Sequence, residues 1–249
     1  MLFRVVWDEL EACPYLPGQI ARFPLRLPPR MLTPDELDAR LALGERRSGR
    51  MVYRTQGPAC TACEPLRVHV PSFVASSSQR RALRRNEGVV RVEVGPPDVS
   101  DERLALYNRH KQERGLSRSD EPLGPIGYRA WLVDSCVPTR ELRYYVGEKL
   151  IAVSILDVGR TSVSSVYHYF DPDESRRSMG VYSVIRELAW CAEAGVEWYY
   201  LGLYVRDCSH LAYKAGYNPH QRRIAGVWTD APAEPSAAEP PAAEPPAAE

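Results

Sequence analysis

The sequence lacks the signals of a membrane-bound or exported protein. It has no run of 18 apolar residues, so we expect no membrane span and no membrane partner. Residues 1–22 contain early acidic residues and no apolar core, which argues against a signal peptide. With neither signal we expect a cytoplasmic protein. Its six cysteines are then expected to be thiols or metal ligands before disulfides.

The chain also lacks an excess of charge, with 32 basic and 32 acidic residues, but the charges are unevenly distributed. Five of the acidic residues and no Lys or Arg lie in residues 230–249, a Pro/Ala/Glu repeat without large apolar residues. We expect this tail to be disordered. Residues 1–229 keep 32 basic against 27 acidic residues. Four arginines fall on one predicted helical face, a pattern that suits either nucleic-acid phosphates or a solvated surface: Arg80, Arg81, Arg84 and Arg85.

Histidine is scarce as well, and the five histidines are isolated in the sequence, so no catalytic triad is visible. Regular structure is clear in the second half. Alternating apolar residues predict strands over 141–146, 150–158 and 161–170. Helical spacing over 181–194 ends at Gly195, and residues 198–205 are apolar on both faces, which predicts a central buried strand.

The loop before the predicted helix resembles an anion site. Gly180 lies where the loop becomes the helix, beside free backbone N–H groups and the positive end of the helix dipole. Arg176 and Arg177 add positive charge. The loop therefore suits a phosphate-bearing ligand, such as a nucleotide, coenzyme A or the end of an RNA.

An antiparallel meander followed by loop, helix and strand resembles the core of the GNAT acyltransferases. We therefore expect an α+β fold, with a GNAT-like, mostly antiparallel sheet and helices, preceded by a cysteine-containing N-terminal region. The GNAT loop pattern ends in a small residue, whereas this chain has Tyr182. A ring there is expected to crowd a coenzyme A pyrophosphate. We expect an N-terminal region at 1–95, a catalytic region at 96–229 and the tail at 230–249.

Several blocks together resemble the aminoacyl-tRNA–protein transferase family, in the order expected for it. They are CPYLPGQIAR at 13–22, ERRSGRMVYR at 45–54, CTACEPLRV at 60–68, SFVASSSQRRALRRN at 72–86, YFDPDESRRSMGVYSVIRELAW at 169–190 and YYLGLYVRDCSHLAYKAGYNP at 199–219. The bacterial aspartate/glutamate leucyltransferase branch is the most similar. The resemblance implies an aminoacyltransferase that moves leucine from its tRNA to proteins with N-terminal Asp or Glu and marks them for degradation.

The resemblance implies aminoacyl-tRNA and such proteins as partners, with no DNA. Three alternatives stay open: arginine as the donor group, acetyl transfer from acetyl-coenzyme A, and a nonenzymatic RNA-binding or thiol-sensing role. An aminoacyl ester is already activated, so aminolysis mainly needs alignment of the two substrates and a site for the oxyanion. In the GNAT pattern, backbone N–H groups of the strand at 198–205 are expected to stabilise the oxyanion.

The candidate site residues follow from this chemistry. We expect Tyr182, Tyr204 and Asp171 to be catalytic, through orientation, proton relay or capture of the acceptor ammonium. Lys214 or an arginine is expected to pair with the acceptor carboxylate. The substrate-binding candidates are Arg46, Arg47, Arg176, Arg177, Gly180, Tyr213 and Lys214, and the tRNA-binding candidates are Arg80, Arg81, Arg84 and Arg85.

The cysteines allow two interpretations. Cys60 and Cys63 form a Cys-x-x-Cys pair that is able to clip one metal, but no fourth ligand follows at metal spacing. The family resemblance adds Cys13 and implies a possible iron–sulfur cluster or zinc at these three residues. The alternative is buried or redox-sensitive thiols. The reaction itself requires no cofactor.

Overall fold

The structure is a computed structural model that describes residues 2–117 and 121–231. The predicted disordered tail, from residue 232 onward, lies outside the described residues. The strands are β1 (Arg4–Trp7), β2 (Leu10–Ala12), β3 (Ile20–Arg22), β4 (Leu25–Leu27), β5 (Arg46–Ser48), β6 (Met51–Tyr53), β7 (Glu64–His69), β8 (Val90–Gly95), β9 (Thr139–Val146), β10 (Lys149–Val158), β11 (Ser162–Phe170), β12 (Trp198–Tyr204), β13 (His220–Ile224) and β14 (Val227–Asp230).

Six α-helical segments occur in the described residues. They are α1 (Pro34–Ala42), α2 (Ser77–Asn86), α3 (Asp101–Glu113), α4 (Pro125–Tyr128), α5 (Met179–Glu193) and α6 (Ser209–Ala212). Short 3₁₀ turns cover Val70–Ser72, Pro172–Arg177 and Tyr213–Gly216, and a π-helical turn, Arg129–Val133, continues α4. No helix of the described part of the chain is long and apolar enough to cross a membrane.

Eight strands form the main sheet, in the order β14-β13-β7-β12-β11-β10-β9-β8. Its described pairings are antiparallel except for β11 with β12, which run parallel. Helix α5 connects this parallel pair. The α+β class and the GNAT-like order of meander, loop, helix and strand are confirmed.

The elements expected from the sequence agree closely with those observed. The three meander strands begin and end within two residues of their predicted limits. Helix α5 starts two residues earlier than predicted and ends one residue earlier, just before Gly195 with φ +69°. Strand β12 is buried along nearly its whole length, as its two-sided apolar pattern predicted.

The core is divided by the main sheet. Helix α5 packs on one face, where apolar residues such as Ile185 and Leu188 join Tyr144 and Tyr199 in the largest cluster. Helices α3 and α4 cover the other face around buried rings, among them Tyr169. A third cluster lies between α1 and the strands beside it. Helices therefore cover both faces of the main sheet. Within the sheet, β11 and β12 pair over only three residues each.

The N-terminal residues contribute strands both to the main sheet and to smaller sheets beside it. Strands β7 and β8, which precede residue 96, belong to the main sheet together with β9–β14. Strands β1, β4, β6 and β5 form a four-stranded sheet beside it. Arg47 on β5 fixes this smaller sheet to β10, because its buried guanidinium lies 2.8 Å from Asp157. The small sheet thus brings Arg46 to the main sheet.

Candidate active site

Strands β11 and β12 separate after a short stretch of parallel pairing. The parallel pairing joins Ser162–Ser164 on β11 to Trp198–Tyr200 on β12. Beyond these residues the two strands are no longer paired with each other. Both are irregular at the point of separation: Val166 is an extra residue in the pairing of β11 with β10, and Leu201 is an extra residue in that of β12 with β7. Such bulges bend strands and re-aim side chains, often beside active sites. We call the opening between the two strands the splay.

Two cations meet at the splay. Arg46 donates from Nη2 to the Ser165 carbonyl at 3.1 Å, and Lys214 donates from Nζ to the Leu203 carbonyl at 3.0 Å. Gly202 lies between them, because a Cβ built on it would be 2.5 Å from Arg46 Nη1 and 3.0 Å from Lys214 Nζ. Its φ of +104° is also a conformation that favours glycine.

The electrostatics of this pair favour an anionic ligand. Neither cation has an ion pair within the described residues. Burial, the largest cause, and the nearby Arg46 together lower the pKa of Lys214 to about 7, while Cys208 acts in the opposite direction. An anion bound between the two cations would restore the charged form of Lys214.

Arg47 differs from its neighbour Arg46. Its side chain is buried, and its Nε and Nη1 atoms bond to Asp157 and to the Gly49 carbonyl. The guanidinium is therefore occupied in fixing the small sheet. The structure gives no support for the predicted contact between Arg47 and a substrate.

The predicted catalytic tyrosines lie inside the core. Tyr182 is 3 % exposed and packs against Tyr144, with ring centroids 6.0 Å apart. Its ring belongs to the buried core cluster, so the structure gives no support for the expected crowding of coenzyme A by this ring. Tyr204 is 2 % exposed, and the Arg222 guanidinium covers its ring at 4.6 Å. Tyr213 is half-buried against the same core cluster.

Asp171 shapes the loop that leads to α5. Its carboxylate accepts hydrogen bonds from Arg109 at 2.7 Å and from the Asp173 backbone N–H at 3.0 Å, and it lies 2.6 Å from Lys149 Nζ. Despite burial, these partners together lower its pKa. The carboxylate is therefore held as an anion by two cations. The Asp171 side chain caps the loop through the Asp173 backbone N–H, and capture of an acceptor ammonium would compete with these contacts.

The start of α5 has the features expected of an anion site. The first turn of a helix leaves backbone N–H groups without intrahelical acceptors, and here that turn includes Gly180. The N-cap Ser178 has φ +55°, and its side chain does not cap the helix. Its hydroxyl instead accepts from Arg85 Nη1 at 3.2 Å. Arg177 is paired with Glu174 at 2.5 Å, while Arg176 is exposed.

The arginines of α2 extend this positive surface. The predicted helix is present, with a Ser76 capping box. All four arginine side chains are exposed, and within the described residues none forms an ion pair with a carboxylate. Arg85 bridges α2 to the loop by donating to the Arg176 carbonyl. The result is one basic surface, formed by Arg80, Arg81, Arg84, Arg85 and Arg176, next to the first turn of α5.

The N-terminal cysteines surround one cavity. Cys13, Cys60 and Cys63 line a space of about 230 Å³ together with Arg54 and Arg223. Burial, the largest cause, and the other nearby thiols, including Cys208, together raise the pKa of Cys63 to about 12. In the described ranges no three His, Cys, Asp or Glu side chains are placed to hold a metal ion. The side chains as placed do not fit a metal centre, and a metal or cluster at these residues stays a prediction.

Sequence reasoning overlooked a buried acid behind the splay. Glu187 on α5 is 0 % exposed and accepts a hydrogen bond from the Tyr199 hydroxyl on β12. The sequence contained a sign of this acid, because Glu187 lies on the apolar stripe of α5 between Val184 and Cys191. An acidic residue within an otherwise buried stripe indicates a polar partner in the core.

Fold and site together define an acyltransferase of the GNAT-like class. Its features are an open parallel pair, a helix N-terminus at the loop, and two cations at the splay that have no carboxylate partner among the described residues. Profiles described as arginine-tRNA-protein transferase, N terminus and C terminus, match residues 11–81 and 102–224. The chain belongs to this aminoacyl-tRNA–protein transferase family, which confirms the assignment expected from the motifs.

Individual relatives agree with the family profiles. The aspartate/glutamate leucyltransferase of Thiobacillus denitrificans is 33% identical over 216 residues, which cover 87% of this chain and 90% of that protein. The enzyme of the same name from Aeromonas hydrophila is 32% identical over 235 residues, 94% and 98% of the two chains. Among solved structures, L-PGS from Bacillus licheniformis has a TM-score of 0.46 at 18% identity over 57% of this chain and 45% of that chain. FemX has a TM-score of 0.43 at 8% identity over 79% of each chain.

Proposed function

We propose that this protein is an aspartate/glutamate leucyltransferase, which moves leucine from leucyl-tRNA to the α-amine of proteins that begin with Asp or Glu. The product would carry an N-terminal leucine that marks it for proteolysis. The reaction would take place in the cytoplasm, where charged tRNA is available. The full-length similarity to leucyltransferases supports the donor and acceptor classes.

The observation on which the acceptor assignment depends is the pair of cations at the splay. An acidic N-terminal residue has a side-chain carboxylate that requires a cation for recognition. Arg46 and Lys214 lie on either side of Gly202 and have no carboxylate of the described chain as a partner. A carboxylate bound there would place the adjacent α-amine at the separation of β11 and β12.

Alignment and oxyanion stabilisation then account for the chemistry. The α-amine has a pKa of about 7.7–8.0 when exposed, so a useful fraction is neutral near pH 7. The bulges at Val166 and Leu201 interrupt regular strand pairing at the splay. Backbone N–H groups released in this way are suited to bind the tetrahedral oxyanion. We assign that role to the splayed strands.

The basic surface is proposed to hold the tRNA. The exposed arginines of α2 suit acceptor-stem phosphates, which provide most of the sequence-independent affinity. The first turn of α5, with Gly180 and the flanking Arg176 and Arg177, suits the terminal phosphate and ribose. This arrangement would direct the aminoacyl ester toward the splay.

Transfer of labelled amino acid tests the function. We expect labelled leucine to move from leucyl-tRNA to a peptide that begins with Asp or Glu, and far less to a matched peptide that begins with Ala. Arginyl-tRNA and acetyl-coenzyme A, offered under the same conditions, should give little product. Equal rates on Asp and Ala peptides would contradict acidic-acceptor recognition, and arginine transfer without leucine transfer would contradict the donor assignment.

A further inference from the structure

The cavity beside the N-terminal thiols contains two cations that lack a counter-ion in the described chain. Arg54 follows β6 and Arg223 lies on β13, and both line this space of about 230 Å³. Within the described residues neither side chain has an ion pair or a hydrogen bond, and the buried Nε of Arg223 has no partner. A third cation of the same lining, Arg22, is paired with Asp8 at 2.6 Å. Two of the three cations are therefore available for an anionic ligand.

The surroundings of Arg223 favour a bound anion. Its guanidinium is half-buried, and burial together with the neighbouring Arg54 lowers its pKa. An opposite charge placed between the two guanidiniums would remove this penalty. A carboxylate suits the position, because a guanidinium holds it through two parallel hydrogen bonds.

The cavity lies beside the proposed acceptor site at the splay. A Cβ built on Gly44 would be 3.2 Å from Arg223 Cδ, so the backbone of Gly44 runs against the Arg223 side chain. Arg46 of the splay follows two residues later, with its Cα at most about 7 Å from that of Gly44. Pro65 of the cavity lining pairs with Leu203 on β12, and the Leu203 carbonyl is the hydrogen-bond acceptor of the splay lysine. The two sites are therefore neighbours.

The small sheet beside the cavity and the basic surface lie on opposite faces of the main sheet. On β12, Tyr199 belongs to the core cluster under α5, whereas the next residue, Tyr200, belongs to the cluster around α1. Successive side chains of a strand point to opposite faces. Val52 on β6 is also part of the α1 cluster, and Arg54 follows the same strand. With the proposed tRNA surface on the α5 face, the acceptor protein is the substrate that reaches the two cavity arginines.

We propose that Arg54 and Arg223 form a second acceptor subsite, which binds a carboxylate on residue 2, 3 or 4 of the acceptor protein. This inference rests on the proposed function, which places the first acceptor residue at Arg46 and Lys214. An extended peptide advances about 3.3 Å per residue, so these positions span the short distance from the splay to the cavity. The enzyme would then prefer acceptors in which the N-terminal Asp or Glu is followed by a further acidic residue.

The test compares peptides that begin with Asp and carry either Asp or Asn at position 2, 3 or 4, one position at a time. Leucine transfer from saturating leucyl-tRNA gives kcat/KM for each peptide. In the parent enzyme we expect kcat/KM to be about tenfold higher for the Asp form at the position that reaches the cavity. This factor is the lower end of what a hydrogen bond to a charged group contributes.

Matched variants distinguish the charge of the cavity from its shape. The double variant Arg54→Gln/Arg223→Gln should lose the preference for Asp over Asn, while kcat/KM for the Asn peptides stays within about twofold of the parent. Arg50→Gln, at an exposed arginine between β5 and β6, should keep the preference. Cys63→Ser, which changes the cavity lining without a change of charge, should keep it too. The double variant should melt no lower than the parent, because it loses two neighbouring like charges.

The outcomes separate the subsite from the proposed function. Equal kcat/KM for the Asp and Asn forms at all three positions would overturn the subsite and leave leucine transfer in place. A preference that survives in the double variant, with a raised KM for leucyl-tRNA, would assign the arginines to RNA phosphates and overturn it as well. Loss of the preference in Cys63→Ser would contradict a role of charge. A parent enzyme that leucylates none of the peptides would overturn the proposed function, and this inference with it.

Discussion

Replacing Lys214 by Met should separate stability from acceptor recognition. Each unit of pKa shift corresponds to about 1.4 kcal/mol. The fall of the Lys214 pKa from 10.5 to about 7 therefore represents up to about 5 kcal/mol of unfavourable burial below pH 7. The variant also loses the 3.0 Å hydrogen bond from Lys214 Nζ to the Leu203 carbonyl, which reduces its gain in stability by about 1.5–3 kcal/mol. We expect the free energy of unfolding to rise by about 2 kcal/mol, or the Tm by about 4–8 °C.

The sign of the pH dependence follows from the same shift. Between pH 7 and 10.5 the unfolded lysine binds a proton that the folded lysine does not, so the parent protein should gain stability as the pH rises through this window. The Met variant lacks this gain. The variant's advantage of about 2 kcal/mol should therefore shrink above pH 7 and reverse within this window, because the parent gains up to about 5 kcal/mol as the pH approaches 10.5.

Recognition should change in the opposite direction to stability. A hydrogen bond between charged groups contributes about 1.5–3 kcal/mol, so kcat/KM for an Asp-peptide should fall by about 10–150-fold in Lys214→Met. The corresponding Asn-peptide, which lacks the carboxylate charge, should change by less than about threefold. Melting curves and transfer assays on both peptides check this. Equal losses on the two peptides, or a variant that is less stable than the parent below pH 7, would refute the reasoning.

Three further predictions concern the splay and the basic surface. Gly202→Ala should destabilise the fold by about 1–3 kcal/mol and reduce transfer strongly, because the added Cβ would displace Arg46. The control Gly147→Ala, at φ +57° with no neighbour within 4 Å of an added Cβ, should lower stability without loss of transfer. Equal transfer in the two variants would contradict this. The double variant Arg81→Ala/Arg84→Ala should raise KM for leucyl-tRNA. It should also make the slope of log affinity against log salt concentration shallower by about 0.7–0.9 for each lost phosphate contact. The control Arg140→Ala, also exposed, should leave the slope unchanged, and an unchanged slope in the double variant would mean that these arginines only face solvent. Gly180→Val and Arg177→Ala should impair transfer while they melt near the parent temperature, and normal transfer in both would exclude the loop as the tRNA-end site.

Local patterns were sufficient for most of the catalytic half of the fold. The strands around Gly147 and the helix that ends before Gly195 followed from alternation, helical spacing and glycine turns. Strand β12 was recognised as central because its residues are apolar on both faces. These features depend on neighbours in the sequence, which is why a single sequence was informative.

The site depended on contacts between residues distant in sequence. Arg46 and Arg47 are adjacent, yet strand alternation sends one to the splay and the other into a buried pair with Asp157. The helical position of Tyr182 turned its ring into the core, although the loop motif suggested an outward ring. The cation pair at Gly202 required β5, β12 and the turn at 213–216 to meet, and no local pattern encodes that meeting.

The most direct test of the splay site is a structure of the protein with an Asp-starting peptide and a stable leucyl-adenosine analogue. The account predicts that the peptide carboxylate bonds to Arg46 and Lys214 at about 2.7–3.2 Å, with the α-amine beside Ser165. A carboxylate bound elsewhere, with both cations still directed at the Ser165 and Leu203 carbonyls, would contradict it.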